Sequence, residues 1–84
     1  MKYTTWKKET TQNCNWHKLE GTNLIVLHAK SARQAKLVGI ERGQFLLYKK
    51  VYTNGIANAD HMKAFKTLTE AKDFAESFAD LYLP

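Results

Sequence analysis

The feature that most constrains this chain is a short segment that occurs twice. Lys30-Ser31-Ala32-Arg33-Gln34-Ala35-Lys36 and Lys66-Thr67-Leu68-Thr69-Glu70-Ala71-Lys72 both fit Lys-[Ser/Thr]-x-x-[Gln/Glu]-Ala-Lys. Each has capping-box spacing: the hydroxyl accepts from the N–H three residues on, and Gln or Glu reaches back. The repeat predicts two helix starts, each preceded by strand.

The second helix is the more legible. Leu68, Ala71, Phe74, Ala75, Phe78, Leu81 and Tyr82 recur at steps of three and four, with Glu70, Asp73, Glu76 and Asp80 on the other side. That pattern predicts an amphipathic helix over 68–82. The first segment is rich in good helix formers. Gly43 is placed to end it in a left-handed conformation, so a helix over 32–42 is expected. A hairpin turning at Gly43 competes with it, but a one-residue turn is too tight.

Strand character marks Leu24–Ala29, Phe45–Tyr52 and His61–Lys66, and more weakly Asn15–Leu19. Residues 53–60, with Asn54-Gly55 as the strongest turn signal, read as a loop. Residues 1–14 read as a polar arm, mobile or laid over the sheet, and residues 15–84 as one α+β domain. The resulting order is β-β-α-β-β-α. It predicts an antiparallel sheet of about four strands with both helices on one face, a circular permutation of the ferredoxin-like arrangement. The strand–[Ser/Thr]-x-x-x-Ala–helix order, Ser31 to Ala35 and Thr67 to Ala71, resembles that of SPOR domains, which bind peptidoglycan. No Gly-Pro-Phe-type strand precedes the second helix, and the resemblance assigns no function.

Composition narrows the classes. Eighty-four residues suit a single domain. The lone Cys14 excludes a disulfide framework. Apolar runs such as Leu24–Leu27 stop at four residues, against roughly 20 needed to span a bilayer. The first residues form no apolar leader core, so the expected compartment is the cytoplasm, with no membrane partner.

The net charge of +5 is unevenly spread. In residues 68–84, Lys72 against Glu70, Asp73, Glu76 and Asp80 leaves −3. In residues 1–67, twelve Lys and Arg against Glu9, Glu20, Glu41 and Asp60 leave +8. A basic body attracts polyanions. Alternatively, Lys30, Arg33 and Lys36 lie beside Asp73, Glu76 and Asp80 and neutralise them internally.

The most specific binding signal is Phe45–Tyr52. Strand alternation puts Phe45, Leu47, Lys49 and Val51 on one face, and Leu46, Tyr48, Lys50 and Tyr52 on the other. The first set is the better core face, with Lys49 snorkelling. Tyr and Lys interleaved on an open sheet can stack on bases and neutralise phosphates. Trp16 and Lys18 from a neighbouring strand, Lys49, and Trp6, Lys7 and Lys8 from the arm would extend that surface. Burial of these aromatics under the arm or in a homodimer is the competing reading.

Catalytic and metal signals are weak. Cys14 and His17 share one short spacing, with His28 and His61 elsewhere, and no second ligand pair supports zinc. In a strand they point to opposite faces, which argues against a dyad. His28 reads as a hydrogen-bonded strand histidine and His61 as a solvated one. Ser31 is explained as a cap, Ser77 lies within the second helix, and the four glycines form no phosphate loop. Neither catalysis nor a cofactor is expected. The leading expectation is a small nucleic-acid-binding module. The alternative is a protein-binding adaptor or inhibitor, of the kind phages and mobile elements encode. That alternative would use the aromatic face or Asp73, Glu76 and Asp80.

Overall fold

The computed structural model describes residues 3–82. The first two residues of the expected arm and the last two of the expected domain lie outside them. Five strands and two helices follow in the order β1 (Trp6–Thr10), β2 (Cys14–Leu19), β3 (Leu24–Ala29), α1 (Ala32–Leu37), β4 (Phe45–Thr53), β5 (Ile56–Phe65) and α2 (Leu68–Ser77). A 3₁₀ turn, Ala79–Leu81, follows α2. The sheet order is β1-β2-β3-β4-β5, and every neighbouring pair is antiparallel.

The fold is α+β as expected, but its plan differs. There are five strands rather than four, and the order is β-β-β-α-β-β-α. The sequential meander also replaces the ferredoxin-like strand order. The fifth strand comes from the expected arm: Trp6–Thr10 pairs edge-on with β2, Trp6 opposite Leu19 and Thr10 opposite Asn15. The arm therefore widens the sheet instead of covering it.

The helices occupy opposite faces, not one. Leu24 and Val26 of β3 and Leu47 of β4 pack with Phe65 and with Ala71, Ala75 and Ala79. The alternate residues, Leu27 and Ala29 of β3 and Leu46 of β4, pack with Cys14, Ala35 and Ile40. Since successive strand side chains point to opposite faces, α2 and α1 lie on different sides of the sheet. This explains why β3 reads as an unbroken apolar run: it is covered on both sides. Burial of Leu19, Leu24, Val26 and Leu47, each fully enclosed, contributes roughly 2 kcal/mol per side chain.

The hydroxyl half of each capping box forms, without the return bond to Gln34 or Glu70 among the described residues. Ser31 Oγ accepts from Gln34 N–H and Thr67 Oγ1 from Glu70 N–H, both at 3.1 Å. Helix α1 ends earlier than expected, at Leu37, because the left-handed residue is Gly39 rather than Gly43. Gly39 has φ +83°. Ile40 N–H donates to Ala35 O (2.9 Å) and Gly39 N–H to Lys36 O (3.2 Å). This is a Schellman close, with Ile40 packed in the same core cluster as Ala35. Gly43, φ +87°, instead serves the turn into β4, where Gln44 N–H donates to Glu41 O at 3.1 Å.

The expected loop at 53–60 is mostly strand. Asn54 and Gly55, φ +53° and +79°, make a two-residue turn. The ladder continues through Thr53 opposite Ile56 and Tyr52 opposite Ala57. Two positive φ values in an Asn-Gly pair match the twist of the hairpin they join.

Candidate functional site

Face assignments follow from the registers. On the α2 side lie Trp6, Lys8, His17, Leu19, Phe45, Leu47 and Lys49. On the α1 side lie Lys7, Glu9, Cys14, Trp16, Lys18, Ile25, Tyr48, Lys50 and Tyr52. Helix α1 has only six residues and covers only the Cys14–Leu27–Leu46 end of its face. The other end is left open.

On that open end, Glu9, Trp16, Lys18, Ile25, Tyr48 and Lys50 line a cleft of about 260 Å³. A second depression of about 210 Å³ adjoins it, sharing Ile25, Tyr48 and Lys50 and extended by Ala57, Asn58 and Ala59. The floor is apolar, since Ile25 is buried, and the walls carry two rings and two ammonium groups. The Lys50 Nζ lies 5.7 Å from the Tyr52 ring centroid, within cation–π range. His61, opposite Tyr48, brings its ring within 6.4 Å of the tyrosine ring. Burial pushes the Tyr48 phenol above its ordinary value of 10.0, opposed by the Trp16 indole and aided by Cys14. The hydroxyl therefore stays protonated at neutral pH.

The residues expected to bind separate into two groups. Trp16, Lys18, Tyr48 and Lys50 converge on the cleft. Lys7 is opposite Lys18 on the same face, and Tyr52 lies two residues beyond Lys50. Lys49 is on the other face, paired with Asp60 at 3.4 Å and 5.6 Å from the Tyr82 ring centroid. Lys8 faces His17 on that other side. Trp6 is also there: its indole N–H donates to Glu76 Oε2 at 3.0 Å. These three are not part of the cleft.

The acidic set is divided too. Asp73 and Asp80 are exposed, while Glu76 is half-buried beside Trp6. Because α1 and α2 lie on opposite faces, Lys30, Arg33 and Lys36 do not neutralise the acidic helix. Lys30 instead donates to Thr11 O at 2.6 Å. The sequence reading did not bring Ile25, Glu9 or His61 to the site. It took β3 as wholly core, Glu9 as part of the arm and His61 as a solvated histidine.

Cys14 and His17 are on opposite faces of β2, as strand alternation requires. Among the described residues no group of three or more His, Cys, Asp or Glu is placed to hold a metal ion. The ring partner of His28 is Phe45, stacked at 4.6 Å between centroids. No helix of the described residues is long and apolar enough to cross a membrane.

No protein-family model matches the chain, and no curated protein or solved structure matches it either.

Proposed function

We propose that this protein is a small, non-enzymatic nucleic-acid-binding module that works in the cytoplasm. The observation that carries the reading is the convergence of Trp16, Lys18, Tyr48 and Lys50 on one open cleft. Aromatic rings offer stacking surfaces to bases, worth about 1–3 kcal/mol per base where stacking is complete. Ammonium groups at the same spacing neutralise phosphates and release counterions, which makes binding salt-dependent. Open clefts over a sheet suit an extended polymer better than a small enclosed substrate.

The roles divide by position. Tyr48 and Trp16 stack, Lys18 and Lys50 meet phosphate, and Lys7 and Tyr52 extend the track at either end. Glu9 opposes binding from the rim.

The test is a fluorescence titration of single- and double-stranded oligonucleotides at two salt concentrations. Binding that weakens steeply with salt, and is lost in Lys50→Glu, supports the reading. Failure to bind either form at low salt removes it. Capture of one defined host protein, abolished by Asp73→Lys but not by Lys50→Glu, would transfer the function to the protein-binding alternative.

A further inference from the structure

The β4–β5 hairpin extends past the rest of the sheet. Strand β3 pairs with β4 only from Phe45 to Lys49, and Lys50 N–H makes a last bond to Asn23 O at 2.8 Å. Beyond that point three cross-strand pairs, Val51–Asn58, Tyr52–Ala57 and Thr53–Ile56, stand with no third strand. Residues 52–61 are all exposed. At about 3.4 Å per residue the free ribbon and its turn project roughly 10 Å.

Charge and size are ordered along this ribbon. From Val51 to Ala59 there is no formal charge, and the only bulky side chains are Val51, Tyr52 and Ile56. Tyr52 and Ile56 are 62% and 66% exposed. Asn54 and Asn58 supply amides that both donate and accept. At the base stand Lys50 and, on the adjoining strands of the same face, Lys18 and Lys7. A neutral, amide-bearing tip on a cationic base mirrors a nucleic-acid groove, with phosphates at the rim and base edges inside. The major groove of B-form DNA, about 12 Å wide and 8.5 Å deep, admits a two-stranded ribbon. The major groove of an RNA helix is too narrow for side chains to read.

We infer that the β4–β5 ribbon enters the major groove of duplex DNA, with Asn54 of the turn and Tyr52 toward the base edges and Lys50 and Lys18, on the same face as Tyr52, on flanking phosphates. This rests on the nucleic-acid reading above and deepens it, naming the duplex as ligand and the hairpin as the reader.

The experiment compares binding of a 20-base-pair DNA duplex, its single strand and an RNA duplex of the same sequence. The variant deletes Thr53 and Ile56. It leaves Tyr52-Asn54-Gly55-Ala57 as a four-residue loop closed by the hydrogen-bonded pair Val51–Asn58, and shortens the reach to roughly 7 Å. The expected result is duplex DNA binding weakened at least tenfold and single-strand binding changed less than twofold. A duplex carrying 7-deazapurines, which lack a major-groove acceptor, weakens binding of the intact protein. Lys50→Glu weakens every form and reports on the nucleic-acid reading separately. Unchanged duplex affinity in the shortened protein, tighter binding of the single strand, or indifference to the 7-deazapurines overturns the inference while leaving that reading in place. A dimer dispersed by the deletion without loss of DNA binding would also overturn it, assigning the ribbon to self-association. Absence of binding to any of the three nucleic acids at low salt overturns both.

Discussion

The Trp6 indole N–H donates to Glu76 Oε2 at 3.0 Å, joining residues 70 positions apart. The same indole lies 5.4 Å from Lys72 Nζ, so two α2 side chains hold the first strand. Trp6 is thereby a clasp on the α2 side, on the other face of the sheet from the cleft. Trp6→Phe keeps most of the ring and removes the donor. It should cost about 1 kcal/mol, read as a lower urea midpoint with an unchanged m-value. DNA affinity should remain within twofold.

A second prediction concerns pH. His17 is buried opposite Val26, and its pKa is lowered below 6.5, first by burial, then by Lys72, Lys8 and His28. The unfolded chain therefore binds the proton more readily than the folded one. Stability should rise with pH between the folded pKa and 6.5, and fall as acid charges the imidazole. Urea unfolding from pH 5 to 8 should show this slope, and His17→Gln should flatten it. A slope of the same size in that variant would assign the effect to other groups.

Two glycines separate backbone strain from packing. At Gly39, φ +83°, a Cβ meets nothing within 4 Å. Gly39→Ala should therefore cost only the left-handed conformation, about 1–2 kcal/mol. At Gly21, φ +84°, a Cβ would come within 2.7 Å of the Tyr3 ring. Gly21→Ala should cost as much and also displace that ring. Chemical denaturation gives both costs, and a change in tyrosine near-ultraviolet dichroism confined to Gly21→Ala reports the displacement.

Both caps, the β3 run and the alternation of β4 were legible because each depends on neighbours in the chain. The helix faces were not. Ala35 and Ala71 look alike in sequence, and which face each meets depends on how the chain crosses the sheet. The edge strand was hidden because Lys7, Lys8 and Glu9 have no apolar alternation. Its pairing comes from β2 and from the distant Glu76. The site was half legible for the same reason. Strand parity linked Tyr48, Lys50 and Tyr52, but only the β2 and β1 registers could place Lys18 and Lys7 beside them and send Lys8 to the other face.

Glu9 gives a prediction in the gaining direction, which misfolding cannot imitate. Its carboxylate lines the rim of the cleft beside Lys18 and Lys50. Glu9→Gln should tighten binding several-fold at low salt, with the gain shrinking as salt screens it. Equal affinities across salt would show that no phosphate passes near Glu9.

Lys49 and Lys50 are adjacent in the chain and on opposite faces of the sheet, so they separate the two sides directly. The decisive measurement is an amide chemical-shift map of the labelled protein titrated with a DNA duplex, run alongside Lys49→Ala and Lys50→Ala. Shifts are expected at Lys7, Trp16, Lys18, Tyr48 and Lys50 and along the β4–β5 hairpin. Affinity should fall several-fold for Lys50→Ala and change less than twofold for Lys49→Ala. Shifts gathered on α2 around Asp73 and Glu76, or equal losses from the two lysine variants, would contradict this assignment.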